Sequence, residues 1–74
     1  MREKNFTAGF AKGYRQLTIE NEPAARRDLM RALGVNQRAS FAAYRRGSIE
    51  PKVSQAAAVE AVFSKYGITE VWGE

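Results

Sequence analysis

The sequence predicts an all-α fold, a compact domain of four to five helices with a helix-turn-helix at its centre. Large apolar residues recur at helical spacing near the amino terminus. Further along, Gly34, Val35 and Asn36 separate two short amphipathic stretches and have the composition of a tight turn between helices. We therefore expect residues 1–74 to form one domain, with the helix-turn-helix at about residues 23–46.

The first predicted helix begins after Asn5, whose side chain can cap it, and runs for about a dozen residues. Its buried face is expected to contain Phe6, Phe10, Tyr14 and Leu17. Gly9 and Gly13 each lower the helix propensity by about 1 kcal/mol relative to alanine. Their i,i+4 spacing would also allow another helix to approach closely.

The second and third helices form the predicted helix-turn-helix. Pro23 suits the first turn of the second helix, where its missing N–H has no intrahelical partner. Leu29 and Leu33 give this helix its apolar face, and the glycine of the turn ends it in a left-handed conformation. Asn36 is expected to cap the third helix, Gln37 to Arg46, through its side-chain oxygen.

A fourth helix is predicted from Pro51 to about Tyr66, where Gly67 ends it. Its expected buried face comprises Val53, Ala56, Val59, Phe63 and Tyr66. The remaining apolar side chains should fold back over the core, through a single helical turn begun at Thr69. Those side chains are Ile68, Val71 and Trp72. Trp72 has a second interpretation, as part of a dimer interface.

The composition argues against catalysis. The chain contains no Cys and no His, so the common zinc ligands, the thiol nucleophile and the histidine general base are all missing. Ser40 has no evident base to activate it. We expect a protein that is not an enzyme and that uses no cofactor, metal or small-molecule ligand. Without a long apolar run, neither a signal peptide nor a membrane span is predicted, and we expect a cytoplasmic location.

Positive charge is concentrated in the centre of the chain. The whole chain has a formal net charge of +4. Between residues 26 and 52, two acidic residues stand against seven basic ones, namely Arg26, Arg27, Arg31, Arg38, Arg45, Arg46 and Lys52. Neutralising a nucleic-acid backbone releases counterions, so such a segment favours binding to a polyanion. A solvated basic surface is the alternative explanation.

The same region resembles a known family. The segment DLMRALGVN, the apolar anchors Phe41 and Tyr44, and YRRG followed by Pro51 are similar to lambda-repressor-like, or Xre-type, helix-turn-helix regulators of phages and bacteria. The resemblance covers roughly residues 26–66 and implies a small transcriptional regulator that binds double-stranded DNA. Between the two glycines that bound the turn and third helix, the chain has one residue more than the common family spacing. The extra residue lengthens the turn or delays the third helix.

The resemblance implies that helix 37–46 enters the major groove. Gln37, Arg38 and Ser40 lie at its amino-terminal end, from which side chains reach base edges. The expected contacts to the DNA backbone are Arg26, Arg27, Arg45, Arg46 and Lys52. Alanines stand where many relatives have larger polar side chains, and their methyl groups can contact the methyl group of thymine. These alanines are Ala39, Ala42 and Ala43.

Other partners remain open. One such domain contacts only a few base pairs, so specificity would require a homodimer on a two-fold symmetric site. Its interface would involve Trp72 or the first helix. The main alternative function is a protein-protein interaction adaptor that keeps the helix-turn-helix scaffold. RNA binding has less support, because no stacking aromatic signature or glycine loop is present.

Overall fold

The computed structural model describes residues 9–73, which form four α-helices and no β-strand. Helix α1 comprises Ala11–Tyr14, α2 Glu22–Leu33, α3 Arg38–Arg46 and α4 Val53–Ser64. The prediction of an all-α domain is confirmed for this part of the chain. None of the four helices has both the length and the apolar character needed to cross a bilayer.

Helix α1 is a single turn, much shorter than predicted. Gly9 has a φ of 76°, in the left-handed region, so it lies outside the helix that was expected to contain it. A Cβ atom at Gly9 would lie 2.2 Å from the carbonyl oxygen of Arg45, and the Phe10 N–H donates to that same carbonyl over 3.0 Å. The close approach expected at Gly9 is therefore made by the carboxyl-terminal end of α3. Asn5 and Phe6 lie outside the described residues.

Helix α2 follows its predicted pattern closely. Pro23 lies in its first turn, and Ala25, Leu29 and Leu33 are buried along one face. Gly34 ends the helix with a φ of 75°, where glycine avoids the strain that a Cβ atom would cause. The buried face of α2 packs against α4.

Helix α4 begins at Val53 and buries Ala56, Val59, Val62 and Phe63. The expectation that Val53 belongs to the buried face is wrong, because its side chain is 79% exposed. At about 100° per residue, the first residue of the helix points roughly 110° away from the centre of that face. The Gln55 side chain donates to the Leu33 carbonyl oxygen over 2.9 Å and connects α4 to the end of α2.

The segment after α4 has no helical turn at Thr69, which corrects that expectation. Instead it runs alongside α1, since the Gly13 N–H donates to the Val71 carbonyl over 3.0 Å and the Lys12 N–H donates to the Gly73 carbonyl over 2.9 Å. Two carbonyl groups of this carboxyl-terminal segment thus accept hydrogen bonds from backbone N–H groups of α1. Ile68 and Val71 are buried as predicted.

A single apolar core lies beneath these elements. Its buried members are Phe10, Leu29, Leu33, Phe41, Val59, Val62, Phe63, Ile68 and Val71. Trp72 packs on this core, with its ring centroid 6.3 Å from that of Phe10, and its indole N–H donates to Glu60 over 2.6 Å. Trp72 is thus half-buried by contacts within the chain.

Candidate nucleic-acid interface

Helix α3 is attached to the domain along one edge. Phe41 is its one buried residue, and the Phe41 ring lies 5.7 Å from that of Phe10 and 5.6 Å from that of Tyr14. The guanidinium of Arg45 lies over the rings of Tyr14 and Phe41, at 5.2 and 5.7 Å from their centroids. Aromatic packing therefore fixes this edge of α3, and Tyr44 also packs against the core, while Arg38, Ala39 and Arg46 stay exposed.

The start of α3 differs from the predicted one by a residue. Gln37 is extended, with φ −127° and ψ 143°, and its carbonyl accepts the Phe41 N–H over 3.1 Å. Gln37 is therefore the N-cap, and its side chain forms no cap hydrogen bond. Asn36 precedes the N-cap, so the predicted capping role for Asn36 is wrong. At the other end, Gly47 closes the helix with a φ of 89°.

The outward face of α3 is made mostly of alanine. At about 100° per residue, the side of the helix opposite Phe41 carries Ala39, Ala43 and Arg46. Ala39 and Arg46 are exposed, whereas Ala43 is half-buried. Arg38 is also exposed but lies on the Phe41 side of the helix, about 60° from that residue. The face turned away from the core thus carries two alanines, one exposed and one half-buried, and the exposed Arg46 near its carboxyl-terminal end.

A cleft of about 490 Å³, here called the arginine cleft, lies between α2 and α3. Its lining residues are Tyr14, Glu22, Arg26, Arg38, Phe41, Ala42 and Arg45. Arg26 and Glu22 form an ion pair with 2.7 Å between Nη1 and Oε2, and the Tyr14 hydroxyl donates to the same carboxylate. The cleft therefore brings three arginines, one carboxylate and one phenol together.

The pKa of Tyr14 is raised above its ordinary value, first by burial and then by its hydrogen bond to the negative Glu22. A raised pKa keeps the phenol protonated well above neutral pH. Tyr14 is consequently a stable hydrogen-bond donor, and it donates to the same Glu22 oxygen that pairs with Arg26.

The other predicted contact residues lie outside the lining of this cleft. Gln37, Arg27 and Lys52 are exposed, and Ser40 is half-buried. Arg46 is exposed, and its Nε donates to Ser48 Oγ over 2.9 Å. The structure thus brings Arg26, Arg38 and Arg45 together but leaves the remaining predicted contacts dispersed around α3.

Sequence reasoning missed two members of the cleft. It assigned Tyr14 to the buried face of the first helix and began the helix-turn-helix at about residue 23, whereas Glu22 is the first residue of α2. The i,i+4 spacing of Glu22 and Arg26 was the available signal, because such a pair on a helix favours an ion pair. The approach of Tyr14 to Glu22 had no signal in the sequence.

Within residues 9–73 there is no group of three or more His, Cys, Asp or Glu side chains able to hold a metal ion. The arrangement can offer arginine donors, small apolar contacts and a polar helix end to a negatively charged partner. The comparisons with known proteins add no relative, since no family model, no curated protein and no solved structure matches the chain.

Proposed function

We propose that this protein binds double-stranded DNA as a small transcriptional regulator, with α3 in the major groove. In this proposal α2 and α3 act as a lambda-repressor-like helix-turn-helix. Gln37, Arg38 and Ser40, at the start of α3, read base edges. A regulator of this kind works in the cytoplasm of a bacterium, on chromosomal, plasmid or phage DNA.

The observation that carries the proposal is the one-sided attachment of α3. Phe41 alone is buried, while Arg38 and Arg46 remain exposed toward opposite ends of the helix. The major groove is about 12 Å wide and admits an α-helix with its side chains. Because alanines cover the outward face, the backbone of α3 can approach the bases closely.

Several positively charged residues support contact with the DNA backbone. Arg26 and Arg45 lie in the arginine cleft, and the exposed side chains of Arg27, Arg46 and Lys52 are within the same basic segment. Contacts to phosphates position a protein on the duplex without reading its sequence. A homodimer on a two-fold symmetric site would supply the specificity that a single α3 lacks.

Fluorescence anisotropy with a random-sequence duplex across a salt series tests the proposal. Binding should weaken steeply as salt rises, because neutralised phosphates recapture counterions. Arg38→Ala should cost roughly 1–3 kcal/mol on a preferred site and relax base preference, whereas Arg26→Ala should weaken all sequences alike. Arg31→Ala is the matched control, since Arg31 is an 81% exposed arginine of α2 outside the expected contacts.

The absence of duplex binding by the parent at low salt would refute DNA binding. If Arg38→Ala, Arg26→Ala and Arg31→Ala all bind like the parent, the docking of α3 is wrong even if the protein binds DNA by another surface.

A protein-interaction adaptor is the second candidate, and one observation favours it. Just beyond α3, Ile49 is 41% exposed and Val53 is 79% exposed, so two apolar side chains follow the alanine-rich face of that helix. A protein complex through this surface should depend weakly on salt, unlike a DNA complex. Ile49→Ser with Val53→Ser should weaken a protein complex and leave duplex binding unchanged.

A further inference from the structure

The arginine cleft has an imbalance of charge. Arg26, Arg38 and Arg45 line it, and among the lining residues that the structure describes Glu22 is the single carboxylate. Glu22 pairs with Arg26. Within residues 9–73, Arg38 and Arg45 form no ion pair, and Arg45 is held in place by the rings beneath its guanidinium. The cleft therefore contains positive charge that no carboxylate of the described residues neutralises.

We propose that the arginine cleft binds a phosphate group of the DNA backbone and that Glu22 is its internal competitor. The inference rests on the proposed function, because it assigns the phosphate to DNA. Arginine presents N–H donors in a planar fork that matches phosphate oxygens. Arg26 and Arg45 would hold the phosphate, and the more exposed Arg38 lies beside it at the start of α3.

The position of the cleft suits a backbone contact. Glu22 is the first residue of α2 and Arg38 is the first residue of α3, so the amino-terminal ends of both helices adjoin it. The partial positive charge at a helix amino terminus attracts anions, which adds to the charge of the arginines. A phosphate here would lie next to the helix proposed to enter the groove.

Glu22 competes because its carboxylate uses the same donors that a phosphate needs. Its Oε2 lies 2.7 Å from Nη1 of Arg26 and also accepts the Tyr14 hydroxyl, so two donors hold it in place. A phosphate must displace Glu22 from Arg26 before it can accept hydrogen bonds from the same guanidinium. The parent protein therefore binds every DNA sequence more weakly than its arginines alone would allow.

The test compares Glu22→Gln with Glu20→Gln in anisotropy titrations of a random-sequence duplex. Both variants remove one negative charge, but Glu20 is exposed and lies outside the cleft lining. Glu22→Gln should bind about three- to tenfold tighter than the parent. Its slope of log affinity against log salt should steepen by about one. For Glu20→Gln the expected gain is under about twofold.

A double-mutant cycle tests whether Glu22 weakens DNA binding through Arg26. In an Arg26→Gln background, Glu22→Gln should no longer tighten binding beyond the gain of Glu20→Gln. Should Glu22→Gln fail to fold, Glu22→Asp retains the negative charge at the start of α2 but is too short to reach Arg26 in the same geometry. It should bind more tightly than the parent and less tightly than Glu22→Gln is expected to bind.

The outcomes separate the two proposals. If the parent binds the duplex and Glu22→Gln gains no more than Glu20→Gln, the competition by Glu22 is overturned and DNA binding stands. If neither the parent nor Glu22→Gln binds at low salt, both proposals are overturned. Replacing chloride by inorganic phosphate at equal ionic strength should weaken duplex binding by Glu22→Gln more than by the parent. If inorganic phosphate shifts the NMR signals of amides in the cleft but the protein binds no duplex, the phosphate that the cleft binds does not come from DNA.

Discussion

Helices α3 and α4 are of similar length but differ in how they are held. Helix α4 buries four of its twelve residues, and α3 buries one of its nine. The Phe63 side chain of α4 is wholly buried, whereas α3 has three exposed residues and five half-buried ones beside Phe41. Stability is therefore concentrated in α4 and the helix it packs against, and α3 is available for contact with a partner.

The difference shows how a domain of this size can separate its scaffold from its contact surface. A small core allows little loss of apolar contact. Substitutions on α4 should change the free energy of unfolding, while substitutions on the outward face of α3 should change binding at nearly constant stability. The following predictions test that division.

Phe63→Ala should have the largest effect. Removing a wholly buried aromatic ring costs roughly 3–5 kcal/mol, which is enough to unfold much of a population of a small domain. Val53→Ala is the matched control on the same helix, because its 79% exposed side chain should change the unfolding free energy by less than about 0.5 kcal/mol. Urea unfolding followed by circular dichroism measures both. Equal losses for the two variants would contradict the burial pattern of α4.

Gly9→Ala should have the next largest effect on stability, because it disturbs the attachment of α3. A Cβ atom at Gly9 would lie 2.2 Å from the Arg45 carbonyl oxygen, and φ is 76°. The combined clash and backbone strain should cost about 2–3 kcal/mol. Gly34→Ala has a similar φ of 75° but no atom near the added methyl group, so its cost should be about 1 kcal/mol. Thermal melts of the two variants give the comparison.

A smaller effect should come from thymine methyl groups, if the alanine face of α3 meets the bases. In the tightest duplex recovered from a selection, replacing a contacted thymine by uracil removes one methyl group. The expected loss is about 0.8 kcal/mol per methyl group, with no change in salt dependence. Thymines outside the protected segment are the control. Unchanged affinity at every uracil position would show that Ala39 and Ala43 do not contact thymine methyl groups.

The smallest expected effect is a pH dependence of stability that comes from Asp28. The Lys65 ammonium, 2.9 Å away, lowers the pKa of Asp28 in the folded protein, with help from Arg31. The contribution of ionised Asp28 to stability is therefore present above the ordinary aspartate pKa and is lost as pH falls through the lowered pKa. Asp28→Asn should melt below the parent at pH 7, and the two should converge toward pH 2. A constant difference across that range would contradict this assignment.

The sequence predicted most of the helices but not the details of their attachment. Pro23, Leu29, Leu33 and Gly34 mark α2 correctly, because proline, helical apolar spacing and a left-handed glycine are local signals. The first helix was predicted too long, since the spacing of its aromatic residues suggested a continuous helix. Gly9 instead adopts a left-handed conformation and lies against the backbone of Arg45.

For the candidate site, the sequence located the basic residues but not their grouping. Arg26, Arg38 and Arg45 were each predicted as contacts from charge and helix position. Their convergence on one cleft depends on the angle between α2 and α3, and local patterns contain no information about that angle. The DNA contacts themselves remain predictions that the binding experiments address.

By itself, the sequence determined the all-α class, the apolar faces of α2 and α4, and the concentration of positive charge. These features depend on residues close together in the chain, whose conformational preferences and spacing act locally. Only the tertiary structure placed Tyr14 against Glu22, laid Arg45 over the aromatic rings and extended the tail along α1. Such contacts join residues distant in sequence, and they form only when burial of the common core brings the helices together.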